Sequence, residues 1–418
     1  CTFRAPAYQY HAIKRRLLQL GYAVTDHLHQ TPPSRNGWTE PSLRPYQDRA
    51  LRAWGAGGGR GVVVLPTGSG KTILALAVMA RVARPALVLA PTRVLLHQWV
   101  DQIGRFTGAD VGVMGDGLRK VSALTVSTFE SAYRHLDRIG DRFQLLVVDE
   151  VHHFGDGLRC EALEMCTATW RLGLTATFPQ REEAKQKITS LVGPVLFQAS
   201  VAELSPTHLA PYRRIKVPIR LTPSEQETYA RARDTFNRAY GEFRRLGGTE
   251  RWADFVSAAM ASPGGYQAIR AHREMRRIVS CSEAKLAEVA RLLERHPAET
   301  TFIFTADNAA AYTLSARLLV PAITCHIGQA ERGEILAGLR NGRLRTVVSA
   351  QVLNEGIDLP EARVGIIMGG VKGGREHVQR VGRLLRPQPG KEALIYELVA
   401  HGTHEERHAE RRQLFLVA

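Results

Sequence analysis

Short apolar runs alternate with amphipathic stretches along most of the chain, and the alternation predicts two separate α/β regions. The apolar runs of the first region are GVVVL (61–65), ALVLA (86–90), ALTV (123–126), LLVV (145–148) and RLGLT (171–175). Those of the second region are TFIF (301–304), TVVSA (346–350), VGIIM (364–368) and ALIYEL (393–398). Apolar runs separated by helices are typical of parallel strands buried on both faces of a sheet. We therefore expect two parallel sheets, each covered by helices.

The stretches outside these two regions have different patterns. Residues 1–41 contain a basic helical segment, HAIKRRLLQLGY (11–22), and a turn-rich linker, TPPSRNG (31–37). Between about 222 and 282, aromatic residues recur at helical spacing among arginines and glutamates, without an apolar strand. The predicted organisation is an N-terminal element (1–41), a first α/β domain (42–205), a connector with a helical insert (206–282) and a second α/β domain (283–418).

Charge and composition narrow the class of partner. The 418 residues carry a formal net charge of +16, and a strongly basic globular protein indicates a polyanionic partner, most often nucleic acid. The five cysteines form no CxxC pair, which favours neither a zinc site nor a disulfide framework and fits a reducing cytoplasm. No apolar run reaches the ~18 residues of a membrane span, and no secretory signal is visible, although a chain that starts at Cys1 leaves room for upstream residues.

A glycine-rich turn follows the first apolar run. The sequence LPTGSGKT (65–72) has the glycine–lysine–threonine core of a phosphate-binding loop, between a strand and the helical pattern TILALAVMARVA. Glycines allow backbone N–H groups to close around phosphate oxygens, and the helix N-terminus favours negative charge. We expect Lys71 to reach the β- and γ-phosphates of ATP and Thr72 to bind Mg²⁺. The alternative is a plain glycine-rich turn.

Two carboxylates end another apolar run, in LLVVDEVHH (145–153). A buried carboxylate is destabilising unless something compensates it, and open α/β sheets bind ligands at the carboxyl ends of their strands. We therefore expect nucleotide-bound Mg²⁺ to compensate Asp149, and Glu150 to orient and deprotonate the attacking water. The positions of His152 and His153 directly after the acids predict contact with the γ-phosphate region or with the next motif. An ordinary surface or core histidine pair is the alternative for His152 and His153.

Nine sequence blocks, taken in order, resemble the motifs of superfamily 2 helicases. They are LRPYQ (43–47), PTGSGKT (66–72), APTRVLLHQW (90–99), STFES (127–131), DEVH (149–152), LTATF (174–178), FIFTADNAAAY (302–312), SAQVLNEGIDLP (349–360) and QRVGRLLRP (379–387). Within the superfamily, the chain resembles the XPB-type DNA helicases and their bacterial and archaeal relatives. The DEVH box, the position of the helical insert where that family has its thumb, and QREEAKQKI (180–188) support this resemblance. The last resembles the Arg-Glu-Asp element, with Glu183 in place of aspartate.

The motifs and the resemblance together imply a set of functional residues. For ATP they imply Arg44, Gln47, Pro66, Thr67, Gly68, Ser69, Gly70, Lys71, Thr72, Gly356 and Asp358, with Thr72 and Asp149 for Mg²⁺. The catalytic residues implied are Lys71, Glu150, Gln379, Arg383 and Arg386, and an arginine that reaches the γ-phosphate is worth roughly 10³–10⁵ in rate. Coupling of hydrolysis to movement is implied for His152, Thr175, Thr177, Arg181, Glu182 and Glu183. The expected DNA contacts are Thr92, Arg93, Thr128, Thr305 and Asn354, with Trp252 and Phe255 as a strand-separating wedge beside the Gly247–Gly248 turn.

The resemblance implies two RecA-like motor domains with a helical thumb-like insert between them. It also implies an ATP- and Mg²⁺-dependent DNA helicase or translocase that moves 3′ to 5′ and acts in DNA repair. The expected partners are single-stranded DNA, duplex junctions and a nuclease or repair factor, in the cytoplasm at the nucleoid and without a membrane. One alternative is a duplex translocase that serves a nuclease without strong unwinding. Others are an RNA helicase and an inactive nucleic-acid clamp, although a clamp predicts loss of Lys71, Glu150 or Arg383, which are all present.

Overall fold

The computed structural model describes residues 4–28, 37–155, 160–204, 212–249, 251–350, 362–369, 393–407 and 409. The described residues form two compact units, one up to residue 204 and one from residue 212 onward. Every helix within the described ranges is too short or too polar to cross a membrane.

The first unit is built on a mainly parallel sheet. Its strands are β1 (Arg60–Val64), β2 (Ala86–Ala90), β3 (Gly112–Gly115), β4 (Leu118–Lys120), β5 (Leu124–Thr128), β6 (Leu145–Val148), β7 (Trp170–Thr175) and β8 (Val195–Gln198). In the described part of the chain their order is β4-β3-β5-β2-β6-β7-β1-β8, and β3 and β4 form an antiparallel hairpin. The five predicted apolar runs are the five adjacent central strands, so the parallel sheet is confirmed.

Helices cover this sheet. They are α1 (Tyr10–Gln19), α2 (Pro45–Ala56), α3 (Lys71–Val82), α4 (Arg93–Thr107), α5 (Phe129–Ile139), α6 (Glu161–Glu164), α7 (Glu182–Leu191) and α8 (Val201–Leu204), with 3₁₀ turns at Ala7–Gln9 and Val151–Phe154. The strands β1, β2 and β6 are buried almost throughout, because helices pack on both faces.

A buried arginine joins the N-terminal element to this unit. Arg171 at the start of β7 is fully buried and donates hydrogen bonds to the carbonyls of Leu163 (3.0 Å), Leu191 (2.8 Å) and Ala168 (3.2 Å). Burial lowers the pKa of its guanidinium to about 10. The ring of Tyr8 lies 5.9 Å from this cation, so the N-terminal element packs directly on the first unit.

The second unit contains another parallel sheet. Its strands are β9 (Tyr212–Ile219), β10 (Thr301–Phe304), β11 (Ala322–Ile323), β12 (Thr346–Ser349), β13 (Val364–Ile367) and β14 (Ala393–Ala400), in the order β11-β12-β10-β13-β14-β9. The four predicted runs form β10, β12, β13 and β14. The segment predicted as a connector contributes β9, which pairs with β14 along eight residues.

The helices of the second unit are α9 (Pro223–Arg245), α10 (Trp252–Met260), α11 (Pro263–Ser280), α12 (Glu283–Arg295), α13 (Asn308–Leu318) and α14 (Gln329–Arg340). Residues 222–282, which include α9, α10 and α11, are called the arm below. The carboxylate of Glu225 joins the two ends of the arm. It accepts hydrogen bonds from the backbone N–H of Thr222 (3.0 Å) and of Glu283 (2.8 Å). The arm therefore leaves and rejoins the second unit at one point.

Candidate functional site

The turn after β1 has the backbone conformation of an anion cradle. Gly68 and Gly70 have φ of +83° and +77°, which L side chains rarely adopt. A Cβ on Gly70 would lie 2.6 Å from Nε2 of Gln47, so the turn and α2 approach too closely for another residue. Gln47 Nε2 donates to the carbonyls of Ser69 (3.0 Å) and Gly70 (3.1 Å), while its Oε1 accepts from the N–H of Arg44 (2.8 Å). The predicted ATP residues of α2 thus hold the loop.

The side chains of this loop present polar atoms to an anion. Lys71 Nζ donates to the carbonyls of Leu65 (3.1 Å) and Pro66 (3.4 Å), and Thr72 follows it in the first turn of α3. In the described part of the chain, the buried hydroxyl of Thr67 has no hydrogen-bond partner. The first N–H groups of α3 also lack partners within the helix. This donor set fits a triphosphate.

The acidic box lies at the carboxyl end of β6. Asp149 is 7% exposed, its Oδ2 accepts a hydrogen bond from Trp99 Nε1 (3.0 Å), and its Oδ1 accepts from the N–H of Glu150 (3.0 Å). Glu150 has φ of +48°, an uncommon conformation for a residue with a side chain and one often found at functional sites. Trp99 is not among the predicted site residues, although it ends the block APTRVLLHQW. The signal that could have identified it was an indole N–H donor within that block.

The donors available for a metal ion match Mg²⁺ bound together with a nucleotide. Thr72 and Asp149 supply a hydroxyl and a carboxylate. The described residues contain no cluster of three or more histidine, cysteine, aspartate or glutamate side chains that could hold an ion alone. Mg²⁺ at nucleotide sites normally takes one or two protein oxygens and completes its shell with phosphate oxygens and water. The residues therefore fit that ion and do not form a dedicated metal centre.

Hydrogen bonds join the acidic box to LTATF. His152 is buried and its Nδ1 lies 2.9 Å from Thr175 Oγ1 and 3.4 Å from Glu150 Oε2. The Thr175 hydroxyl also donates to the carbonyl of Thr177 (2.8 Å), and the Thr175 carbonyl accepts from the N–H of Leu65 (2.9 Å). The reason is topological, because β7 lies between β6 and β1. The structure thus brings together three of the six predicted coupling residues and the start of the nucleotide loop.

The other three coupling residues lie on the surface of the first unit. Arg181 occupies the N-cap position of α7 without a side-chain capping hydrogen bond, and its guanidinium donates to Glu183 (3.3 Å). The side chains of this pair are 69% and 87% exposed. Glu182 pairs with Lys185 of the same helix at 3.7 Å. A partner could therefore reach these residues directly.

Three predicted DNA contacts line one cavity of about 420 Å³ in the first unit. Thr92 caps α4 by accepting from Leu95 N–H (3.3 Å), and Thr128 caps α5 by accepting from Ser131 N–H (3.2 Å). Arg93, whose side chain is 74% exposed, lies beside them. Two helix N-termini and an arginine facing one cavity are suited to a phosphate.

An aspartate occupies part of the same cavity. Asp116, in the β3–β4 turn, has φ of +52° and pairs with Arg93 (3.2 Å) and His97 (3.0 Å). The hydrogen bond from His97 and the charge of Arg93 hold the pKa of this carboxyl below its usual range. Asp116 is therefore an anion at neutral pH, within reach of the cation that is predicted to bind DNA.

Two predicted DNA contacts in the second unit are corrected by burial. Thr305 has no exposed surface, and its hydroxyl donates to the carbonyls of Asp307 (3.0 Å) and Ser349 (3.3 Å). Phe255 is 2% exposed because α10 turns it into the arm's aromatic cluster. Trp252 stays 40% exposed, with its ring 5.5 Å from that of Phe255. The predicted residues that lie outside the described ranges are Asn354, Gly356, Asp358, Gln379, Arg383 and Arg386.

Comparison with known proteins gives consistent matches. Residues 40–180 match the family model for the type III restriction enzyme res subunit, and residues 248–418 match that for the ERCC3/RAD25/XPB C-terminal helicase. The chain is 32% identical to DNA 3′-5′ translocase XPB2 of Sulfurisphaera tokodaii, over 99% of this chain and 94% of that protein. It is 29% identical to DNA 3′-5′ helicase XPB of Mycobacterium tuberculosis, over 97% and 70% respectively. The Pyrococcus furiosus Hef helicase domain shares the fold, with a TM-score of 0.62 at 18% identity over 89% of this chain and 98% of that domain.

Proposed function

This chain belongs to the XPB-type DNA helicases of superfamily 2, and we propose that it is an ATP-driven motor that moves 3′ to 5′ along DNA and separates its strands during repair. The observation that carries the proposal is the hydrogen bond between His152 of the acidic box and Thr175 of LTATF. It joins the residue next to the proposed site of hydrolysis to a separate motif. That motif is the one implied, by the resemblance, to couple hydrolysis to movement.

The nucleotide chemistry follows from the residues of the first unit. Lys71 would neutralise phosphate charge, and Thr72 and Asp149 would hold Mg²⁺, whose charge would offset that developing during phosphoryl transfer. Trp99 orients Asp149 through its 3.0 Å hydrogen bond. Glu150 orients the attacking water and accepts its proton. Gln379, Arg383 and Arg386, which the resemblance implies are catalytic, are proposed as further residues required for turnover.

DNA binding is proposed at the cavity with Thr92, Arg93 and Thr128, and at the arm. Capping hydroxyls, helix N-termini and an arginine contact backbone phosphates and do not distinguish bases. The arm supplies the exposed Trp252 as the wedge residue. We also propose that the surface pair Arg181–Glu183 meets the DNA or a partner nuclease or repair factor at the nucleoid.

The decisive experiment is the rate of ATP hydrolysis without nucleic acid and with single-stranded DNA, duplex DNA or RNA. We expect stimulation by DNA and little by RNA, together with displacement of the strand from a duplex with a 3′ overhang. A Lys71→Ala variant measures the background rate of hydrolysis by contaminating ATPases. Equal stimulation by RNA, or none by DNA, would remove the proposal.

The second candidate is a duplex translocase, and the name of the Sulfurisphaera tokodaii relative, DNA 3′-5′ translocase XPB2, favours it. A translocase moves along duplex DNA and strips a third strand without opening the duplex. Parallel assays of triplex displacement and strand displacement distinguish the two functions. Triplex displacement without strand displacement would establish the translocase.

A further inference from the structure

The base of the arm contacts the turn that follows β14. Tyr229 of α9 is 4% exposed, and its hydroxyl lies 3.0 Å from His404 Nδ1 while accepting from the N–H of His404 (3.1 Å). The two rings stack at 6.2 Å. Met275 of α11 and Ala400 of β14 belong to the same small apolar core. A displacement of α9 therefore acts directly on this turn.

The next residue of the turn enters the core of the second unit. Glu405 is 2% exposed, and its Oε2 accepts hydrogen bonds from the N–H of Ala400 (2.8 Å) and from Lys285 Nζ (2.7 Å). Lys285 of α12 is fully buried and also donates to the carbonyl of Met368 (2.6 Å) at the end of β13. A buried ion pair tolerates little change in geometry, because separating its charges in the core is costly.

The Lys285–Glu405 pair fixes a glycine two residues after β13. Gly369 has φ of +108°, and a Cβ there would lie 1.7 Å from Glu405 Oε1, so only glycine fits. That oxygen is buried and has no hydrogen-bond partner in the described part of the chain. Gly369 is the last described residue before 370–392, the stretch that contains Gln379, Arg383 and Arg386. The backbone at Gly369 is therefore set by Glu405.

We propose that Tyr229, His404, Glu405 and Lys285 form a positioning chain that couples the arm to the start of the arginine-bearing segment. DNA bound by the arm shifts α9, and the chain transmits that shift through Glu405 to Gly369, where it changes ATP turnover. The inference rests on the proposed function, because it requires DNA-stimulated hydrolysis. These are positioning residues, since the described contacts join them to one another and to backbone.

The test removes one hydroxyl. Tyr229→Phe keeps the ring and its packing but breaks the link to His404. We expect nearly unchanged DNA affinity and DNA-free hydrolysis, with stimulation by single-stranded DNA reduced about fivefold or more. Tyr396→Phe is the matched control, because Tyr396 is also 4% exposed and its hydroxyl lies 2.8 Å from His296 Nε2, outside the chain. The control is expected to retain stimulation.

Two outcomes overturn the inference: full stimulation in Tyr229→Phe, or an equal loss in Tyr396→Phe. Wild-type protein that DNA does not stimulate overturns the proposed function instead, so the two failures are distinguishable. A second measurement uses the unaltered protein. The same contacts can transmit a displacement from Gly369 to α9, so exchanging ADP for a non-hydrolysable ATP analogue should change amide hydrogen exchange near Tyr229 in α9. Unchanged exchange there would also remove the positioning chain.

Discussion

The carboxyl ends of the two sheets differ in whether their buried threonine hydroxyls are hydrogen-bonded. In the first unit, the buried hydroxyls of Thr67 and Thr177 have no partner in the described part of the chain, and they lie beside Lys71 and the acidic box. In the second unit, Thr305 is bonded to neighbouring carbonyls, and the ammonium of Lys285 is bonded to a carbonyl and a carboxylate. Glu405 Oε1 is the exception among the groups described above, because it is buried against Gly369 without a partner in the described part of the chain. Buried polar groups left open mark a place for a ligand, whereas satisfied ones fix geometry. The carboxyl end of the first sheet is therefore suited to chemistry. The described part of the second sheet's carboxyl end is suited to transmitting a change in the position of one element to another.

The largest expected effect comes from the open end of the first unit. Glu150→Gln should reduce ATP turnover about 10²–10⁴-fold, because it removes the general base, while ATP binding remains. Lys71→Ala should also stop turnover but weaken ATP binding, because it removes a phosphate partner. Single-turnover hydrolysis and equilibrium binding of a fluorescent ATP analogue separate the two. Near-normal hydrolysis in Glu150→Gln would contradict the assignment of the base.

An intermediate effect is expected at the closed end of the second unit. Lys285→Met leaves the Glu405 carboxylate buried without its counter-ion, and breaking such a pair typically costs about 3–5 kcal/mol of stability. Lys285→Met combined with Glu405→Leu should recover most of that loss, because no charge remains buried. Hydrogen exchange of β13 and β14 in increasing denaturant reports this unit separately from the first. A double variant as unstable as the single one would show that packing, not charge, dominates here.

The smallest effect concerns Asp116 in the first unit's cavity. Its depressed pKa keeps it ionised at neutral pH, so it competes with DNA phosphate for Arg93. Asp116→Asn should tighten single-stranded DNA binding roughly two- to fivefold, the range of an exposed ion pair. If Arg93 gains one phosphate, the slope of log K against log salt should steepen by about 0.7. Asp110→Asn is the control, because Asp110 pairs with Lys120 outside the cavity lining; equal tightening there would indicate only the change in net charge.

The central strands of both sheets were predictable because burial on two faces demands continuous apolar runs. β9 was not, because YRRIKVPI alternates and contains Pro218. Both features are typical of a strand at the edge of a sheet. One side of such a strand makes no hydrogen bonds to a neighbouring strand, and its polar residues face water. Its pairing is set by β14, which lies about 180 residues away in the chain. No local pattern contains that information.

The site was predictable where a motif specifies backbone conformation and chemistry together. The glycines of the nucleotide loop and the acids after β6 are such cases. Thr305 and Phe255 were mispredicted because residue type does not reveal orientation. A threonine at a strand end resembles a phosphate donor until a neighbouring carbonyl accepts its hydroxyl, and an aromatic beside a glycine turn resembles an exposed wedge until its helix turns inward. Trp99 was missed because its role depends on a contact between α4 and β6.

The carboxylate of Glu225, which holds the two ends of the arm together, has a consequence for how such proteins can diversify. Because the two ends of the arm are held together, the arm spans only a short distance between β9 and α12, however many residues it contains. Insertion, deletion or replacement beyond the clip leaves the spacing of those two elements unchanged, as in domains inserted between adjacent termini. The arm of a relative could therefore replace residues 226–281 without a change in that spacing, provided that it keeps the tyrosine at position 229 that contacts His404.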